Sequence, residues 1–173
     1  MNIPGIPLAR ALVRSAAMLP LCAALLATTP RAMAATAPTT LSVTLTINAA
    51  CLVSTTPVAF PAQGVLSAAV PQTGSVLVTC TNTTTYTIGL DKGAGTGASV
   101  TNRLMTGPGS ATVQYGLFQD SGLATNWTDT GAGLVSSTGT GAQQTFTVYG
   151  NVPAQTTPAP GAYADTVNVT VTY

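Results

Sequence analysis

Apolar and polar residues alternate with a period of two along much of the chain beyond residue 40. Leu41, Val43, Leu45 and Ile47 alternate with Ser42, Thr44, Thr46 and Asn48. Tyr86, Ile88 and Leu90 alternate with Thr85, Thr87 and Gly89, and Val113, Tyr115 and Leu117 with Thr112, Gln114 and Gly116. Phe146 and Val148 sit between Thr145, Thr147 and Tyr149. A last run places Tyr163, Val167, Val169, Val171 and Tyr173 on one face, while Val76 to Cys80 is more continuously apolar, as a central strand would be. Successive side chains of a strand point to opposite faces, so this period predicts half-buried β-strands; no stretch shows convincing helical periodicity.

Turn-rich pieces separate these runs: Asp91 to Ser99, Thr106 to Ser110, Gly131 to Gly141 and Pro153 to Gly161. Short strands at this spacing predict an all-β fold, an antiparallel β-sandwich of immunoglobulin-like type in one domain. The core Trp of antibody domains is missing from the segment between the cysteines, so the architecture is supported and antibody kinship is not.

The chain opens with a different pattern. Arg10 and Arg14 precede an apolar stretch, Ala16 to Ala27, and Ala32-Met33-Ala34 supplies an A-x-A cleavage site. Residues 1–34 therefore read as a secretory signal peptide. The stretch is short of the ~18 residues a membrane span needs, and Pro20 interrupts it, so no membrane insertion is expected after cleavage. A lipoprotein signal at Cys22 would want a small residue before the cysteine, where Leu21 stands.

Cleavage leaves Cys51 and Cys80, and an even pair in an exported protein is most simply a disulfide, with free thiols the lesser alternative. It also leaves only Lys92 and Arg103 against Asp91, Asp120, Asp129 and Asp165, in a chain that is 5% charged and has no His. Without His there is no Ser-His-Asp triad and no imidazole metal site. Two basic residues cannot build a nucleic-acid surface, so no nucleic-acid partner is expected. The expected protein is not an enzyme, and no cofactor or metal is expected.

Single motifs add little chemistry. Asp91-Lys92-Gly93-Ala94-Gly95-Thr96-Gly97 is glycine-rich, but the lysine comes first and no helix follows, so a mobile hairpin loop is expected rather than a phosphate cradle. The four Asp lie at strand ends or turns, where Asp usually caps loops; a calcium site from two of them would lack the dense D-x-[DN]-x-[DN]-G spacing. Arg103 either bonds a nearby Asp or strand end or is solvated. Trp127, Tyr149, Tyr163 and Tyr173 read as core or groove-lining residues before a sugar platform.

The two ends carry the sharpest signal. The final strand runs to Tyr173, and the regular run Leu41 to Ile47 precedes the first cysteine. By pattern alone that run is either the first strand of its own sandwich or a spare strand that completes another copy.

Read in order, the chain resembles the spore coat protein U domain family, which includes subunits of archaic chaperone-usher pili. The resemblance rests on Val43-Thr44-Leu45-Thr46-Ile47 ahead of Cys51-Leu52-Val53, on Gly74 to Cys80, on Tyr86 to Asp91, and on Asn102-Arg103-Leu104-Met105. It continues through Val113 to Asp120, Trp127, Val148-Tyr149-Gly150-Asn151-Val152-Pro153 and Gly161 to Tyr173. The resemblance implies a sandwich of residues 51–173 that lacks its last strand, a periplasmic chaperone that lends one, and an outer-membrane usher. It further implies that residues 35–50 form an N-terminal donor segment, with Leu41, Val43, Leu45 and Ile47 as plugs in the groove of another copy or a related pilin. Tyr163, Val167, Val169, Val171 and Tyr173 would then edge the acceptor groove. The implied role is a secreted fimbrial subunit, exposed at the cell surface after periplasmic transit and serving attachment or biofilm formation. The alternatives are a spore or cyst coat protein and a self-complemented adhesive module.

Overall fold

The computed structural model describes residues 32–173. Its contacts divide the chain into two units, Met1–Val43 and Thr44–Tyr173. Most of the expected signal peptide, including Arg10 and Arg14, lies outside the described residues; Ala32, Met33 and Ala34 are exposed and outside any regular element. No helix among the described residues is long and apolar enough to cross a membrane.

The described residues form eight strands: β1 (Cys51–Thr56), β2 (Val70–Cys80), β3 (Thr85–Leu90), β4 (Arg103–Thr106), β5 (Thr112–Phe118), β6 (Val135–Thr138), β7 (Gln143–Val152) and β8 (Val169–Thr172). They make two sheets, in the orders β1-β2-β7-β5-β4 and β6-β3-β8, and every pairing is antiparallel. The inward residues of the two sheets form one core: Val76, Val78, Val113, Tyr115, Leu117, Val148 and Val152 from the larger, Tyr86, Ile88 and Leu90 from the smaller. This is the all-β sandwich that the alternation predicts. Trp127, from the loop after β5, is buried in this core and donates its Nε1–H to the Ile88 carbonyl at 3.0 Å.

Cys51 and Cys80 form a disulfide that closes a sequence separation of 29 between directly paired residues of β1 and β2. Closing a loop of that length stabilises the fold by roughly 3.5 kcal/mol in the chain-entropy model. One residue beyond Cys80, Thr81 reinforces this clasp. Its backbone N–H donates to the Ala50 carbonyl at 3.0 Å, and its Oγ1 accepts from the Ala50 N–H at 2.8 Å.

Three expectations need correction. Val135–Thr138 is a strand, not part of a continuous loop: its backbone pairs with β3 although Val135 is its only large apolar residue. The glycine-rich 91–97 segment is not a hairpin tip, because it connects β3 to β4, which belong to different sheets. Of the run from Tyr163 to Tyr173, only Val169–Thr172 is laddered. Upstream, Ala164 bridges Thr106 at the edge of the larger sheet, so the run changes sheets over residues 165–168.

Candidate functional site

An open apolar groove runs along one side of the sandwich. β1 stops pairing after Thr56, and the chain continues through Pro57, Val58, Ala59 and Phe60 as one wall. The opposite wall is the C-terminal run, with Tyr163, Ala164, Asp165, Val167 and Val169. Core side chains from both sheets, among them Val76, Leu90, Tyr115, Leu117 and Val148, make the floor. This hollow has a volume of about 420 Å³. A second of about 420 Å³ lies between residues 60–64 and 157–161, over Leu66, Val113 and Val152. Phe60, Met105 and Tyr163 line both, so the two adjoin. Among the described residues, β8 pairs only with β3, which leaves its other edge free. A free edge beside an apolar trough accepts one extended strand: main-chain groups bond to the edge, and alternate side chains fill the trough.

Of the expected edge residues, Tyr163, Val167 and Val169 line the first hollow. Val171 pairs with Ile88 and packs against the core, and Tyr173 is 60% exposed beside Thr85, Thr87 and Thr138, away from both hollows. The expected plugs lie outside any strand, with Leu41 88%, Val43 86%, Leu45 85% and Ile47 75% exposed. Four large aliphatic side chains in alternation, all open to water, are costly to leave so.

The C-terminal wall is held by polar groups whose roles the sequence leaves unassigned. Asp165 faces inward between Tyr163 and Val167; its Oδ1 accepts from the backbone N–H of Ala94 and of Thr166, each at 2.8 Å, and its Oδ2 accepts from the Tyr115 hydroxyl at 2.7 Å. Asp91 Oδ1 accepts from the N–H of Gly93 and of Asn168, each at 2.9 Å, and Oδ2 from Asn168 Nδ2 at 2.6 Å. Every carboxylate oxygen of the two thus accepts from at least one protein donor. Partial burial opposes ionisation of Asp91, but the Asn168 side chain, the two backbone N–H groups and the Arg103 charge outweigh it and hold its pKa below 3.8. Burial, and then the bond to Asp165, push the Tyr115 hydroxyl far up, so it stays a donor.

Arg103 is buried at 0% exposure. It pairs with backbone carbonyls rather than with a carboxylate: Nε donates to Asp91 at 2.7 Å, Nη1 to Val100, and Nη2 to Leu90 and Trp127, these three at 2.8 Å. Burial lowers its pKa, and Tyr115, Asp91, Asp129 and Asp165 pull the other way. The planar fork locks the 90–103 connection and the Trp127 loop to one point. Asp120, by contrast, only caps a turn, with Oδ1 accepting from Ala124 and Oδ2 from Thr125.

The Spore Coat Protein U domain model matches residues 37–170, which takes in most of the N-terminal segment together with the sandwich. The chain belongs to that family. No curated protein matches it. Among solved structures, this Spore Coat Protein U chain is similar to one from the CsuC–CsuE chaperone–tip adhesion subunit pre-assembly complex of the archaic chaperone-usher Csu pili of Acinetobacter baumannii. The TM-score is 0.56 at 24% identity, and the likeness, one of fold, covers 74% of this chain and 41% of that one. The Spore Coat Protein U chain therefore spans less than half the length of that neighbour.

Proposed function

We propose that the chain is a structural subunit of a chaperone-usher fimbria, polymerised by donor-strand exchange. The observation that carries this reading is the apolar groove between residues 55–60 and 163–169, beside the free edge of β8, in a chain whose segment 35–50 exposes four aliphatic side chains in strict alternation. The segment of one copy, or of a related pilin, fills the groove of the next, with Leu41, Val43, Leu45 and Ile47 as plugs. Burying four such side chains contributes about 6 to 12 kcal/mol gross at roughly 1.5 to 3 kcal/mol each, and the new ladder adds about 0.5 to 1.5 kcal/mol net per bond. Ordering the Thr/Ala/Pro segment opposes this.

Before assembly the open groove is an aggregation hazard, which supports a periplasmic chaperone as its occupant and an outer-membrane usher as the place of exchange. The fold shared with a chain of a chaperone–subunit complex supports the same reading. Residues 1–34 act as the export signal, the fimbria stands at the cell surface, and its role there is attachment or biofilm formation. The protein is not an enzyme. Deleting Ala35 to Asn48 and running the exported protein on a gel after mild heating tests the assignment: polymer ladders disappear if this segment is the donor, and ladders that persist contradict it.

A further inference from the structure

Three charged residues of a sparsely charged chain gather at one place. Arg103, Asp91 and Asp165 all lie at the segment where the C-terminal run changes sheets, between the Ala164–Thr106 bridge and the start of β8 at Val169. Between the Ala164–Thr106 bridge and the bond from the Asp91 N–H to the Asn168 carbonyl at 3.1 Å, no main-chain ladder holds residues 165–167, and the carboxylates stand in for one. Asp165 Oδ1 takes the Thr166 N–H and Asp91 Oδ1 the Asn168 N–H. Val167, which lines the groove, lies between these two pinned amides.

The pins lead to fixed points, one of them on the floor of the groove. Asp165 reaches Tyr115 on β5 and Ala94 in the glycine-rich connection. Asp91 is continuous with β3, and its carbonyl accepts from the buried Arg103. Gly93 takes a φ of +79°, and a Cβ there would collide with Asp165 Oδ2, so the connection can approach the wall only as glycine.

We infer that Asp165 and Asp91 are positioning residues of the groove: they hold the wall around Val167 extended and apart from the opposite wall before any strand arrives. The inference rests on the donor-strand reading of the groove. A preformed wall removes an ordering step from capture, so its loss slows association of the incoming strand more than it speeds release.

The test uses the full chain, exported and processed, with Asp165→Asn, Asp91→Asn and Tyr115→Phe variants. Hydrogen exchange is followed at the Ala94, Thr166 and Asn168 amides, and capture of a synthetic peptide of residues 35–50 is followed by fluorescence anisotropy. We expect exchange across residues 164–168 to quicken at least tenfold in Asp165→Asn and Asp91→Asn while β2 and β7 stay protected. The peptide on-rate falls about tenfold with a nearly unchanged off-rate, and Tyr115→Phe gives a smaller change in the same direction. Unchanged exchange at 164–168 overturns the inference, and so does faster exchange with an unchanged on-rate. If the unaltered chain captures no peptide, the donor-strand reading fails instead, and the exchange result still decides whether the carboxylates hold the wall.

Discussion

The Tyr115 hydroxyl donates to Asp165 Oδ2 at 2.7 Å, a bond that joins the floor of the groove to its wall across 50 residues of sequence. It places the inward charge of the C-terminal run on a core strand. Several consequences of this polar frame are open to measurement.

Acid loosens the frame. The pKa of Asp91 is lowered in the folded protein, so its bonds to Gly93 and Asn168 contribute stability that is fully present above the ordinary carboxylate value near 3.8. That contribution is lost as pH falls through the lower folded value. Urea midpoints taken from pH 5 down to pH 2 should fall for the unaltered chain, with a shallower fall in Asp91→Asn.

Arg103 cannot be shortened. Arg103→Ala leaves the carbonyls of Leu90, Asp91, Val100 and Trp127 without their donors, two of those bonds in fully buried surroundings. The expected loss is at least about 3 kcal/mol in a denaturant titration. Arg103→Lys recovers little, since one ammonium cannot reach four carbonyls in a planar fan.

Gly93→Ala places a methyl group against Asp165 at a positive φ, and both effects act in the same direction. Destabilisation of about 1 to 3 kcal/mol is expected. Gly97→Ala has a similar φ of +82° with nothing within 4 Å of the added atom. It should cost less, and the difference between the two melting shifts isolates the clash.

Removing the disulfide by the double change Cys51→Ser and Cys80→Ser should cost about 2 to 4 kcal/mol, read from urea midpoints. Reduction of the unaltered chain should give a loss of the same size.

Legibility in the sequence followed how well apolarity tracked direction. β3, β5 and β7 place apolar residues at most inward positions, so their alternation is plain, and with it the sandwich. β4 shows no alternation of its own because its buried first residue is Arg103, a charge at a position where the pattern calls for an aliphatic. β1 shows no alternation because it is an edge strand with water on both faces: Leu52 and Val53 are consecutive, point to opposite sides and are both exposed. Asp165 stands at an inward position of the last run, yet a reading by apolarity steps over it from Tyr163 to Val167. The only cue was phase: it lies two residues from each. The disulfide followed from the parity of the cysteines. The donor role proposed for residues 35–50, by contrast, rests on the resemblance, because alternation alone fits a strand used at home as well as one lent abroad.

Cross-linking between copies tests the central claim most directly. A chain carrying Val43→Cys is co-expressed with one carrying Val167→Cys, and exported protein is analysed on a non-reducing gel. If the N-terminal segment of one copy lies in the groove of another, a linked pair of chains forms that dissolves on reduction, and neither variant alone forms it in comparable yield. If instead the two cysteines join only when both are placed in the same chain, and no linked pair forms, the segment completes its own sheet and the donor-strand account is wrong.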